Sequence, residues 1–128
     1  MSASDVLAWL AVAVIPGTAA AGWLLRRWGS GPFAVRLRPH FILGYAALGL
    51  AVVHMSLSMG ATDGANPTGI WFASVGIAGL AVQAFIGTNL QSPGLYRPLL
   101  RRWHIVMFLA VAALIVGHVA LNAAFLQN

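Results

Sequence analysis

The chain has 128 residues, of which 60 % are hydrophobic and 7 % charged, with seven basic side chains against two acidic ones and no cysteine. A water-soluble domain carries about 25 % charged residues, so a soluble surface is excluded and the sequence, with a mean hydropathy of +0.86, reads as an integral membrane protein. At roughly 20 apolar residues per span there is room for about four helices and short loops, and none for a nucleotide-binding or hydride-transferring domain on this chain. The lack of cysteine removes disulfides, thiolate metal sites, iron–sulfur clusters and covalently attached haem.

The first apolar run covers about residues 6–25, is rich in Ala and carries Pro16 and Gly17 in its middle. Its positive charges follow it instead of preceding it, the wrong order for a secretory signal. The second, about 40–59, is opened by Pro39, which suits a first helical turn. A turn-rich stretch from Asp63 to Thr68 leads into the third run, about 69–88, and the fourth covers about 103–125. The expected fold is all-α: a single four-helix transmembrane bundle over residues 1–128.

All seven basic residues are Arg. Arg26, Arg27, Arg36 and Arg38 lie between the first and second runs, and Arg97, Arg101 and Arg102 between the third and fourth. Both acids, Asp5 and Asp63, lie elsewhere. By the positive-inside rule the Arg loops are cytoplasmic and both termini outside. Trp23, Trp28 and Trp103 then mark the inner interface and Trp9 and Trp71 the outer one. The net charge of +5 is therefore a topology signal, and no nucleic-acid partner is expected. Short loops and high Ala and Gly content point to a bacterial inner (cytoplasmic) membrane, with lipid as the surroundings. Ala19, Ala20, Ala21 and Gly22 in the first run, and Gly76, Ala78, Gly79 and Ala81 in the third, allow close helix approach. Gln83 is expected to bond to a neighbouring helix.

The four histidines carry the functional argument. His40 and His54 lie in the second run, His104 and His118 in the fourth, 14 residues apart in each case. Fourteen residues give a rise of ~21 Å and fall ~40° short of four whole turns, so each pair lines one helix face. The second and fourth helices both start at the cytoplasmic side and run parallel. His40 and His104 thus share one depth, and His54 and His118 another. Ionisable groups in a span are costly and functional by default. A zinc site wants about four clustered donors, which histidines ~21 Å apart do not supply. Two imidazoles at each of two levels suit two six-coordinate haems sandwiched between the second and fourth helices.

Gly44, Ala47 and Ala51 on the His face of the second helix, and Val111 and Ile115 on that of the fourth, leave room for a flat macrocycle. Arg36, Arg38, Arg101 and Arg102 are placed to neutralise propionates of the cytoplasmic-side haem. The same arginines also serve as topology signals. On the outer side Ser56, Ser58, Thr62 and Asn122 are the polar candidates.

His-x13-His on two parallel helices of a four-helix core resembles the dihaem core of membrane b-type cytochromes. Those families include the cytochrome b of quinol–cytochrome c reductases, the cytochrome b561 group and the ferric-reductase-like membrane domains. Arg101-Arg102-Trp103-His104 running on to Gly117-His118 looks most like the small bacterial cytochrome b561 or ferric-reductase-like group. The resemblance implies two non-covalent haem b groups with His40, His54, His104 and His118 as axial iron ligands. The chain departs from these families in lacking the Pro-Glu-Trp-Tyr quinol loop, the additional helices and any flavin or nicotinamide domain.

The expected function is a transmembrane electron-transfer subunit within a larger respiratory complex, a component of an oxidoreductase and not a stand-alone enzyme. Electrons would pass between a quinone or redox partner on one side and a partner protein, another redox subunit or a soluble cytochrome, on the other. Tyr45, Gln83, Asn89, Gln91 and Tyr96 are candidates to line a quinone pocket. The arginines should raise the potential of the cytoplasmic-side haem by favouring its less positive, reduced state. Two alternatives stand beside this: a haem or metal-ion carrier, and a structural small subunit whose histidines only hydrogen-bond.

Overall fold

The computed structural model describes residues 3–59 and 65–122, and among them it is helical with no strand. Four helices are long and apolar enough to cross a membrane: α1 (Ala3–Trp28), α3 (Arg38–Ser58), α4 (Pro67–Asn89) and α5 (Arg97–Asn122), with a single helical turn, α2 (Phe33–Arg36), between the first two. The chain divides into two compact units, residues 1–58 and 59–128, each built on one helical hairpin.

Three of the four long helices carry proline in their first turn: Pro39 in α3, Pro67 in α4 and Pro98 in α5. A first-turn amide has no intrahelical acceptor, so the missing N–H costs nothing there and the fixed φ favours initiation. The start of the fourth helix lies well away from the sequence expectation. The fourth helix begins at Arg97 and not near residue 103, because the arginine-rich stretch continues the helix. Arg is a good helix former, and its long stem keeps the charge near the interface. The expected end near residue 125 lies outside the described residues, as does the 60–64 part of the loop that holds Thr62 and Asp63.

In the first unit α1 packs antiparallel to α3. The join is compact: Gly31 takes φ +89°, a left-handed conformation that favours glycine, and Pro32 then opens the α2 turn. Leu37, only 5 % exposed, anchors the segment. Arg36 Nη1 donates to the Gly29 carbonyl at 3.1 Å, and its guanidinium lies 6.0 Å from the Phe33 ring centroid. Pro16 sits inside α1, where it leaves one carbonyl without its usual donor; membrane helices tolerate this when neighbours compensate.

In the second unit α4 presents a seam of buried glycines, Gly69, Gly76, Gly79 and Gly87, to α5. A Cβ built on each would meet, in turn, Asn122 and Leu121, Leu114, Val111, and His104. The partner numbers fall as the glycine numbers rise, which is an antiparallel register. The expected close approach through small residues is thus seen at Gly76 and Gly79. Val111 is the tightest point: it is 1 % exposed, and a Cβ on Gly79 would stand 2.7 Å from its Cγ2. Gly79→Leu is therefore expected to destabilise this hairpin by about 1–3 kcal/mol, the range for overpacking a closed core. The check is a lower midpoint for thermal unfolding in detergent.

Outside these seams the helices are apolar and exposed. Trp28 and Trp71 are each 70 % exposed and Val116 is 68 % exposed, as expected of surfaces that meet lipid. Trp23 and Trp28 pack edge to face at 5.5 Å near the Arg26 and Arg27 end of α1.

Candidate functional site

Each hairpin carries its two histidines on its second long helix, α3 in one and α5 in the other. Both helices run unbroken through their two histidines, so the 14-residue interval places each pair on one face, ~21 Å apart along the axis. All four are half-buried.

His40 sits in the first turn of α3 and turns its ring onto α1. Its Nδ1 lies 2.8 Å from the Thr18 carbonyl oxygen, and since a carbonyl only accepts, Nδ1 carries the hydrogen. A helical carbonyl has two lone pairs, one of which goes to the amide four residues on. For Thr18 that residue is Gly22. A Cβ on Gly22 would stand 2.8 Å from His40 Nδ1 and 3.2 Å from Cε1, so the missing side chain opens the second lone pair to the imidazole. Thr18 Oγ1 is itself held, donating to Val14 O at 2.8 Å.

His118, near the far end of α5, makes the equivalent bond in the other hairpin: Nδ1 is 2.9 Å from the Gly69 carbonyl in the first turn of α4. His104, in the second turn of α5, lies against Gly87, where a Cβ would meet its Cε1 at 3.3 Å. Each hairpin therefore sets a glycine of its first helix against the histidine that opens its second.

A neutral imidazole that donates from Nδ1 keeps its lone pair on Nε2 and is a stronger donor for it, the state in which histidine holds a metal. His40 and His118 each set Nδ1 against such an acceptor. Among the described residues no three His, Asp or Glu side chains converge on a common point, so a four-donor zinc site finds no support there. A haem iron takes two imidazoles, and the carbonyl-anchored rings of His40 and His118 in apolar helices fit such a ligand.

The remaining residues singled out in the sequence fall as follows. Arg38, Arg101 and Arg102 are exposed and Arg36 is half-buried, its Nε buried and without a hydrogen-bond partner. Gly44 faces Thr18 across the first hairpin, and Val111 packs against Gly79 in the second. Of Gln83, the Oε1 is buried with no hydrogen-bond partner. Ser56 and Asn89 bond back to their own helices, at Val52 O and Phe85 O. Asn89, Gln91 and Tyr96 all fall at the α4–α5 connection, whereas Tyr45 belongs to the other hairpin.

Thr18, Gly22, Gly69 and Gly87 carry the histidine environment, and the sequence marked none of them for it. Their signal is faint because it lies in a backbone carbonyl and in absent side chains. Comparison of the chain with protein-family models, curated proteins and solved structures found no match.

Proposed function

We propose that this chain is a transmembrane electron-transfer subunit holding two haem b groups, with His40 and His104 as ligands at the Arg-loop level and His54 and His118 at the opposite level. The observation that supports the reading is the orientation of His40 and His118: each sets its Nδ1 against a backbone carbonyl of the first long helix of its hairpin, which turns the Nε2 edge of the ring the other way. When bound, bis-imidazole haem supplies a one-electron carrier with no open coordination position.

The chain's own residues do the rest. The Thr18 and Gly69 carbonyls fix ring orientation and raise imidazole basicity. The apolar helices exclude water and lower the local dielectric. Arg36, Arg38, Arg101 and Arg102 supply positive charge for carboxylates at one level. Taken as successive spans, the four helices would bring one histidine of each hairpin to each depth. The positive-inside rule puts the Arg loops in the cytoplasm of a bacterial inner membrane. Donor and acceptor would be a quinone or redox subunit on one side and a partner protein on the other, within a respiratory assembly.

The test is a dithionite-reduced minus oxidised spectrum of the detergent-purified chain, with pyridine haemochromogen quantitation. Two b haems per chain, retained through purification, are expected. Haem lost readily to an acceptor such as apomyoglobin would favour a carrier, and a colourless protein from haem-replete cells would leave only a structural subunit.

A further inference from the structure

Asn122, the last described residue of α5, closes a ring of hydrogen bonds across the end of the second hairpin. Its Oδ1 accepts from the Asn66 backbone N–H at 2.8 Å. Asn66 Oδ1 in turn caps α4, accepting from the amides of Thr68 at 3.0 Å and Gly69 at 3.3 Å. The Gly69 carbonyl accepts from His118 Nδ1. Asn122 Nδ2 points back at His118, 3.3 Å from its carbonyl oxygen and 3.4 Å from Nδ1.

The donors and acceptors in this ring are not interchangeable. A backbone amide only donates, so the Asn122 atom facing Asn66 is the oxygen, and the NH2 group is left for His118. At His118 two arrangements compete. Nδ1 either accepts from Asn122 Nδ2 or donates to the Gly69 carbonyl. The carbonyl is the nearer group and cannot donate, and a bare Nδ1 would set two lone pairs against each other at 2.9 Å. Nδ1 therefore carries the hydrogen, and Asn122 Nδ2 bonds to the His118 carbonyl. The space for this is narrow, since any Cβ on Gly69 would collide with the Asn122 amide.

We infer that Asn122 is the positioning residue of His118: by tying the start of α4 to the end of α5 it holds the Gly69 carbonyl against Nδ1 and so keeps Nε2 as the coordinating nitrogen. The consequence for a haem potential rests on the function proposed above; the choice of tautomer does not. The sign follows from ligand basicity. A firm Nδ1–H···O bond makes the imidazole a stronger donor and favours the oxidised iron. Asn122→Leu releases the Gly69 carbonyl and should raise the potential of the His118-level haem. Asn122→Asp keeps the bond to Asn66, gives up the one to the His118 carbonyl and brings a negative charge close to the ring, so it should lower the same potential.

The experiment is a redox titration, followed by absorbance, of the purified holoprotein and both variants. Opposite shifts of one haem component, with the other unmoved, are expected. Shifts of the same sign in both variants, or no shift in either, would overturn the inference, because a residue that only stabilises the hairpin moves both alike. Should the chain purify without haem, the function proposal fails separately, and imidazole 15N spectra of the chain decide the inference. Wild-type His118 should then be Nδ1-protonated and Asn122→Leu should lose that preference; an unaltered tautomer would overturn it.

Discussion

His118→Ala is expected to remove one of two b haems and leave the other in place, and His54→Ala to remove the same one. The argument is geometric. Each histidine pair lies on one face of an unbroken helix, and the proposed function pairs His54 with His118 at one level and His40 with His104 at the other. A six-coordinate iron that loses either axial ligand loses the arrangement that retains it, so the two substitutions act on one unit and are not additive. The double variant H54A/H118A should bind as much haem as either single one. His40→Ala and His104→Ala should remove the other haem, and His54→Ala with His104→Ala should leave none. Haemochromogen stoichiometry and the number of components in a redox titration give the answer. If His104→Ala and His118→Ala removed the same component, the levels inferred from topology would be wrong.

The fold was legible in the sequence because lipid imposes few solutions: apolar runs near 20 residues must become helices. Boundaries were less so. Hydrophobicity was the only guide at Arg97–Arg102, and it does not report that arginine continues a helix readily. The histidines were visible by their interval, a one-dimensional signal that survives in any straight helix. Their partners were not, since the Thr18 carbonyl has no sequence signature and Gly22 is one small residue among many in α1. Asn122 read as a polar group free for a propionate. In the structure it is occupied with Asn66 and His118, a contact between positions 56 residues apart that no local pattern announces. Gln83 was read as a hydrogen-bonding residue, and its Oε1 is buried with no hydrogen-bond partner.

Gly22→Ala should be the most informative single methyl in the molecule. Alanine is a better helix former than glycine by about 1 kcal/mol, so on propensity alone the substitution stabilises α1. The new carbon would, however, stand 2.8 Å from His40 Nδ1 and 3.2 Å from Cε1, and the imidazole is a rigid ring that cannot fold away. It must swing off the Thr18 carbonyl, breaking a 2.8 Å bond and releasing the tautomer that the bond selects. Loss of such a supporting contact typically weakens metal affinity by about 10–100-fold. The helix-propensity gain and the lost hydrogen bond are of similar size and opposite sign, so the expected result is a chain that still folds, loses the His40-level haem on purification and keeps the other. Gly17→Ala is the control: it lies on the same helix with nothing within 4 Å of its built Cβ, so it should gain the propensity term and change neither haem. Gly87→Ala should fall between them, because its Cβ meets His104 Cε1 at 3.3 Å, a distance that a shift of a few tenths of an ångström relieves. A Gly22→Ala protein with both haems and wild-type potentials would mean that His40 holds its orientation without Thr18, and the glycine would then serve helix packing alone.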